Sequence, residues 1–210
     1  MRSDSSIDVP SPIDFSRTEA ARAWAEDANL KRPWRVEFFA AIVEELRRLR
    51  RPSLAVVELG SGPGYLAEAV LGALPDVRYT LLDSSLPMQD LARARLGPVA
   101  GAKFVTADFR RGGWADDLGL FDAAVSVQAV HELRHKHHAV VLHQAVYRLL
   151  RAGGLYLVCD HVLGPGGTTD GELYMTTLEQ KAALDAAGFR DVSMVLEKGG
   201  LVLHRARTAA

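Results

Sequence analysis

The chain has 210 residues, 48% hydrophobic and 24% charged, enough for one domain with a sizeable buried core. A formal net charge of −1 and a sequence pI near 6.7 exclude the basic balance of a protein that grips nucleic acid through its phosphates. One cysteine, Cys159, excludes an internal disulfide.

In chain order, residues 1–14 are polar and proline-bearing and read as a loose tail. Ser16 with Glu19 has the spacing of a capping box ahead of a helix through Ala20 and Ala28. A second helix begins near Pro33, with Phe38, Phe39, Ile42, Val43, Leu46 and Leu49 recurring at three and four, so one face must pack on something. The basic run Arg47 to Arg51 suits the carboxyl end of that helix and is a solvated face.

From Leu54 the pattern alternates, with strands expected near 54–59, 77–82, 102–106, 121–127 and 154–160 and helices near 64–74, 86–96 and 137–151. A helix near 178–187 ends at Gly188, and β runs at 189–197 and 201–207 are split by Gly199 and Gly200, which reads as a hairpin. The expected fold class is therefore α/β: a doubly wound, mostly parallel, seven-stranded Rossmann-like sheet ending in an antiparallel hairpin. No run approaches the roughly 18 apolar residues of a membrane span, and the first residues lack the apolar core of a secretion signal. With its lone thiol in an apolar strand, the chain reads as cytoplasmic, with no membrane and no nucleic acid among its partners.

The most informative stretch is VVELGSGPGYL, Val56 to Leu66, a buried strand running through a glycine turn into a helix. A dinucleotide fingerprint would be G-x-G-x-x-G, but Tyr65 stands where its third glycine would fall. The spacing present is E-x-G-x-G-x-G from Glu58, a carboxylate and a loop of N–H groups that suit a zwitterion better than a pyrophosphate. Asp83 ends the second strand, where a carboxylate can take both hydroxyls of a ribose or cap the helix from Leu86. Asp108 follows the third strand.

In these motifs, over roughly residues 55 to 160, the chain resembles the class I S-adenosylmethionine-dependent methyltransferases. The resemblance implies S-adenosyl-L-methionine as cofactor, held by Glu58, Gly60, Ser61, Gly62 and Gly64. It implies Asp83 at the ribose hydroxyls, Met88 against the adenine, Asp108 accepting from the adenine amino group with Phe109 stacking nearby, and Ser84 and Gln128 as further cofactor contacts. It also implies that the helices of residues 15–51 cap a cofactor-binding core of residues 52–210.

The fourth strand runs into His131, Glu132 and His135, and H-E-L-R-H matches the zinc hydrolase pattern H-E-x-x-H. That pattern needs a helix through it, whereas Val125 to Val130 read as a strand end, so no metal is expected. His137, His138 and His143 read as polar residues of an exposed helix. His131 falls at the carboxyl edge of the sheet, where ligands bind, and is the candidate base. Trp34, His161 and Tyr174 are candidate substrate contacts, with Trp24 and Arg35 as further lid residues. The expected activity is methyl transfer to an oxygen or nitrogen of a small-molecule acceptor by a monomer or homodimer. The alternatives are a cofactor-binding module without transfer, or a zinc hydrolase using His131, Glu132 and His135.

Overall fold

A run of apolar, β-prone side chains with no polar alternation belongs in the middle of a parallel sheet, and Ala55–Leu59, buried at every position, forms β1 there. The structure, a computed structural model, describes residues 8–210. The helices are α1 (Thr18–Lys31), α2 (Arg35–Arg47), α3 (Tyr65–Ala73), α4 (Leu86–Leu96), α5 (Ala139–Leu149) and α6 (Thr177–Ala186). The other strands are β2 (Arg78–Asp83), β3 (Ala102–Thr106), β4 (Phe121–Val127), β5 (Leu150–His161), β6 (Arg190–Lys198) and β7 (Leu201–Arg207). Together with β1 they form one sheet in the order β3-β2-β1-β4-β5-β7-β6. Pairing is parallel from β3 to β5 and antiparallel in β5–β7 and β6–β7. The expected doubly wound sheet with a terminal hairpin is thus the fold observed.

Each face of the sheet carries its own core. On one side α2 and α3 bury Phe38, Ile42, Leu46, Leu66 and Val70 against Val56, Leu81, Val125 and Leu157. On the other, α5 and α6 place Leu142, Val146 and Leu184 against Val57, Ala124, Tyr156 and Val158. Phe38, Ile42 and Leu46 are at most 1% exposed. Truncating such a side chain to alanine costs about 2–5 kcal/mol, so α2 is built into the core.

Four local expectations are corrected. Ser16 does not cap α1: its hydroxyl donates to Asp14, and Arg17 at the N-cap makes no side-chain bond. Residues 8–10, part of the tail expected to be loose, are tied down where the Val9 and Pro10 carbonyls accept from Arg134 and Asp8 meets His138; residues 1–7 of that tail lie outside the described residues. His143 is 2% exposed, with Nδ1 3.3 Å from the Tyr156 hydroxyl. Finally, α5 ends at Leu149 and β5 starts at Leu150, earlier than expected, because Leu150 already pairs with Phe121 across an irregularity in the ladder.

Candidate active site

The glycine loop joins β1 to α3. Gly60 has φ +63° and no room for a side chain, since a Cβ there would lie 2.4 Å from the Cβ of Ala129. Gly62 differs: its φ is +52°, yet a Cβ would meet nothing within 4 Å. The space above Gly62 is therefore open, and the first N–H groups of α3, which have no acceptor within the helix, border it. Ser61 is buried beside this space with its hydroxyl unpartnered, and beyond β4 the Gln128 carbonyl is also buried without a donor. Unpaired buried polar atoms are costly, and a polar ligand over the loop would satisfy both.

Of the acidic residues at the strand ends, Asp83 meets the loop directly. Glu58 is 3% exposed and accepts from the Tyr79 hydroxyl at 3.0 Å. Burial raises its pKa to about 8, against the opposing effect of that hydrogen bond. Asp83 receives the Gly62 N–H at 2.7 Å and the Ser85 N–H at 2.8 Å, so one carboxylate shapes the loop and starts the next helix. Burial raises its pKa as well, opposed by these N–H donors. Helix α4 is capped by Ser85, which accepts from Met88 N–H, while Ser84 stays exposed and Met88 is buried. Asp108 is engaged with Arg110 at 3.0 Å; burial pushes its pKa up, but Arg110 outweighs that and holds it low. Phe109 borders Gly60, 3.7 Å from the Cβ position there.

A second cluster forms where β4 and β5 end. His131 Nδ1 lies 2.7 Å from Asp160 Oδ1, and its backbone N–H donates to Asp160 Oδ2 at 2.9 Å. The ring is thereby fixed, with Nε2 3.4 Å from Glu132 Oε1. Burial pulls the His131 pKa down, but the charge and hydrogen bond of Asp160, and after them those of Glu132, prevail and raise it to about 10. The rings of His161 and Tyr174 stand 5.2 and 5.6 Å from that of His131. Gln128 Nε2 lies 3.0 Å from His161 Nε2, joining this cluster to the loop side. The cavity lined by His131, Asp160, His161 and Tyr174 is about 10 Å³, room for one water. Trp34 is elsewhere: its ring lies against the β6–β7 turn, 2.3 Å from where a Cβ on Gly199 would sit.

No helix runs through H-E-L-R-H. Val130–Leu133 is a single 3-10 turn, Arg134 has φ +68°, and His135 turns away to meet Glu172 at 2.7 Å. Among the described residues, His131, Asp160 and His161 are close enough together to share an ion. The Asp160 oxygens, however, already accept from the His131 N–H, the His131 ring and the His161 N–H. That arrangement orients an imidazole, a use the sequence did not reveal for Asp160.

The histidines also set how stability follows pH. Burial lowers His143, His161 and His204 to about 4 each. An unfolded histidine takes its proton near pH 6.5. Between about pH 6.5 and 4 the unfolded chain therefore binds more protons, and stability falls as pH drops. For His143 the shift corresponds to roughly 3 kcal/mol. His131, raised to about 10, acts oppositely: its contribution is complete below about pH 6.5 and fades as pH rises toward 10. Thermal unfolding followed from pH 4 to 10 should give a maximum between these limbs; a flat acid limb would show that the three histidines are hydrated.

Residues 56–154 match the family described as the methyltransferase domain. Human N-acetylserotonin methyltransferase in complex with SAM is similar at TM-score 0.70 and 18% identity, with 93% of this chain and 58% of that one covered. PigF with SAH gives 0.74 and 18%, covering 92% and 60%. An O-methyltransferase family protein from Burkholderia thailandensis gives 0.73 and 19%, covering 93% and 62%. The chain thus spans about 60% of the length of these proteins. No curated protein matches the sequence. The matched stretch, just under half of the chain, holds the glycine loop and the acidic residues Glu58, Asp83 and Asp108, and the seven-stranded sheet has the fold of the class I S-adenosylmethionine-dependent methyltransferases.

Proposed function

We propose that this protein transfers the methyl group of S-adenosylmethionine to an oxygen or nitrogen of a small-molecule acceptor. The observation that carries this reading is the His131–Asp160 pair, fixed at 2.7 Å at the carboxyl edge that also holds the glycine loop. When bound, the cofactor supplies an electrophilic methyl on a sulfonium. Glu58 and Asp83 offer acceptors at the loop, with Ser61 and Gln128 beside them holding unpartnered polar atoms. His131 Nε2 is placed to take a proton from the acceptor, Asp160 holds the ring, and His161 and Tyr174 wall the cleft. The named similar proteins favour a small acceptor over a polymer. Cys159, buried and alone, supports a reducing compartment, and we place the protein in the cytoplasm as a monomer or homodimer. No helix among the described residues is long and apolar enough to cross a membrane.

Calorimetry with S-adenosylmethionine, followed by S-adenosylhomocysteine formation across a panel of phenols, carboxylic acids and amines, tests the reading. No heat of binding sinks it, and binding without turnover on any acceptor favours a cofactor-binding module. Asp83→Ala should weaken cofactor binding by about 1–3 kcal/mol, the scale of charge-assisted hydrogen bonds. The loss includes loosening of the loop, because the Gly62 N–H then lacks its acceptor. Unchanged affinity in a folded variant would make Asp83 a helix cap alone.

A further inference from the structure

The crossovers from β1 to β2, from β2 to β3 and from β4 to β5 each carry a helix, namely α3, α4 and α5. The connection from β3 to β4, residues 107–120, carries none, so part of the sheet face that a helix would cover is left open. What remains there is a cavity of about 410 Å³, lined by the first residues of β1, β2, β3, β4 and β5 and by Leu118 and Leu120 of the connection. That is the size of a small-molecule site. It lies at the amino edge of the sheet, away from the chemistry described above: Ala55 lines it at the start of β1, and the glycine loop begins only after Leu59, about 13 Å further along the strand.

The register decides which side chains meet in it. Parallel partners point to the same face, and Ala55 pairs with Arg78, Val57 with Thr80, and Thr80 with Lys103. Arg78 and Lys103 therefore stand on the face that carries Val57, with Leu118 and Phe121 packed on that side. Both are exposed, and among the described residues neither side chain has a hydrogen-bond or ion-pair partner. Arg151 joins them from the start of β5 and has only a share of a carboxylate: Asp122 already accepts from Arg51 and from the Ala55 N–H. Arg151 Nη1, 3.1 Å from Asp122 Oδ1, is buried without a hydrogen bond. The lining thus holds Arg78, Lys103 and Arg151 and no carboxylate. A solvated basic rim alone would ask for nothing, but this one borders an apolar wall of Leu118, Leu120 and Phe121, and Leu120 is left 54% exposed. Cations without counter-charge beside an uncovered apolar wall match a ligand with an anionic head and an apolar body.

We propose that this cavity is a second ligand site, which takes an aromatic carboxylate independently of the methyl-transfer cleft. The probe is anilinonaphthalene sulfonate, whose fluorescence rises in an apolar site, compared on the full chain with phenylnaphthylamine, the same rings without the sulfonate. Wild type should bind one equivalent of the sulfonate, about tenfold more tightly than the neutral rings, and naphthoate should displace it. S-adenosylmethionine should not. Arg78→Glu and Lys103→Glu change exposed side chains that the fold does not use, and each should weaken the sulfonate by about tenfold while leaving the neutral rings bound as before. Displacement by S-adenosylmethionine would put the probe over the glycine loop and overturn the proposal. Sulfonate binding that neither reversal moves, that naphthoate does not displace, or that does not occur at all would overturn it equally.

Discussion

Gly62→Val is expected to abolish S-adenosylmethionine binding while leaving the chain folded. The side chain would enter the open space above the loop, where a Cβ meets no protein atom within 4 Å, so the fold can take it and a ligand cannot share the space. At φ +52° a β-branched residue is also strained, by roughly 1–3 kcal/mol, which the two-sided core should absorb. The expected loss of affinity is more than about 100-fold, or over 2.7 kcal/mol. Gly62→Ala should lose less, in proportion to the smaller volume. Gly60 is unsuited to the same test, because a side chain there strikes Ala129 and the fold itself would shift. Calorimetry decides: wild-type affinity in a folded Gly62→Val would mean that no ligand lies over the loop.

Much of this site is legible in the sequence because it is local. The loop and its flanking strand and helix are contiguous, and Asp83 and Asp108 announce themselves as carboxylates at strand ends. What escaped is non-local. The pairing of His131 with Asp160 spans 29 residues and exists only because β4 and β5 run parallel in a register that sets Val127 beside Cys159; no spacing encodes that. The basic cavity at the other edge is similar, because only the order of the sheet brings Arg78, Lys103 and Arg151 together. His143 was legible and misread: with Ala139, Leu142, Val146 and Leu149 buried, it stands at the helical spacing of the apolar stripe, and its titratable ring concealed that position. The H-E-L-R-H reading turned on local structure instead, since the strand-end character of Val125 to Val130 argued against a helix and the left-handed Arg134 breaks one.

His131→Ala should spare cofactor binding and lower methyl transfer by about 10²- to 10⁴-fold, the usual contribution of a positioned general base. The structure adds a condition on pH that the sequence did not suggest. Burial alone would keep the imidazole neutral, but the Asp160 carboxylate, with Glu132 behind it, raises it to about 10, so at neutrality His131 holds the proton that a base must lack. The wild-type rate should therefore climb with pH from neutrality toward about 10, and this limb should vanish in His131→Ala. Asp160→Asn removes the larger of the two charges that raise the pKa, leaving Glu132, while keeping a partner for the ring. Its limb should move to lower pH, with a reduced plateau from looser orientation, a change that a purely structural aspartate would not produce. The comparison of His131→Ala, Asp160→Asn and wild type across pH 6 to 10, once an acceptor is in hand, separates the two ways this edge can work. A full rate and unchanged profile in His131→Ala would leave the histidine as a wall of the cleft, with alignment of the reactants as the source of catalysis.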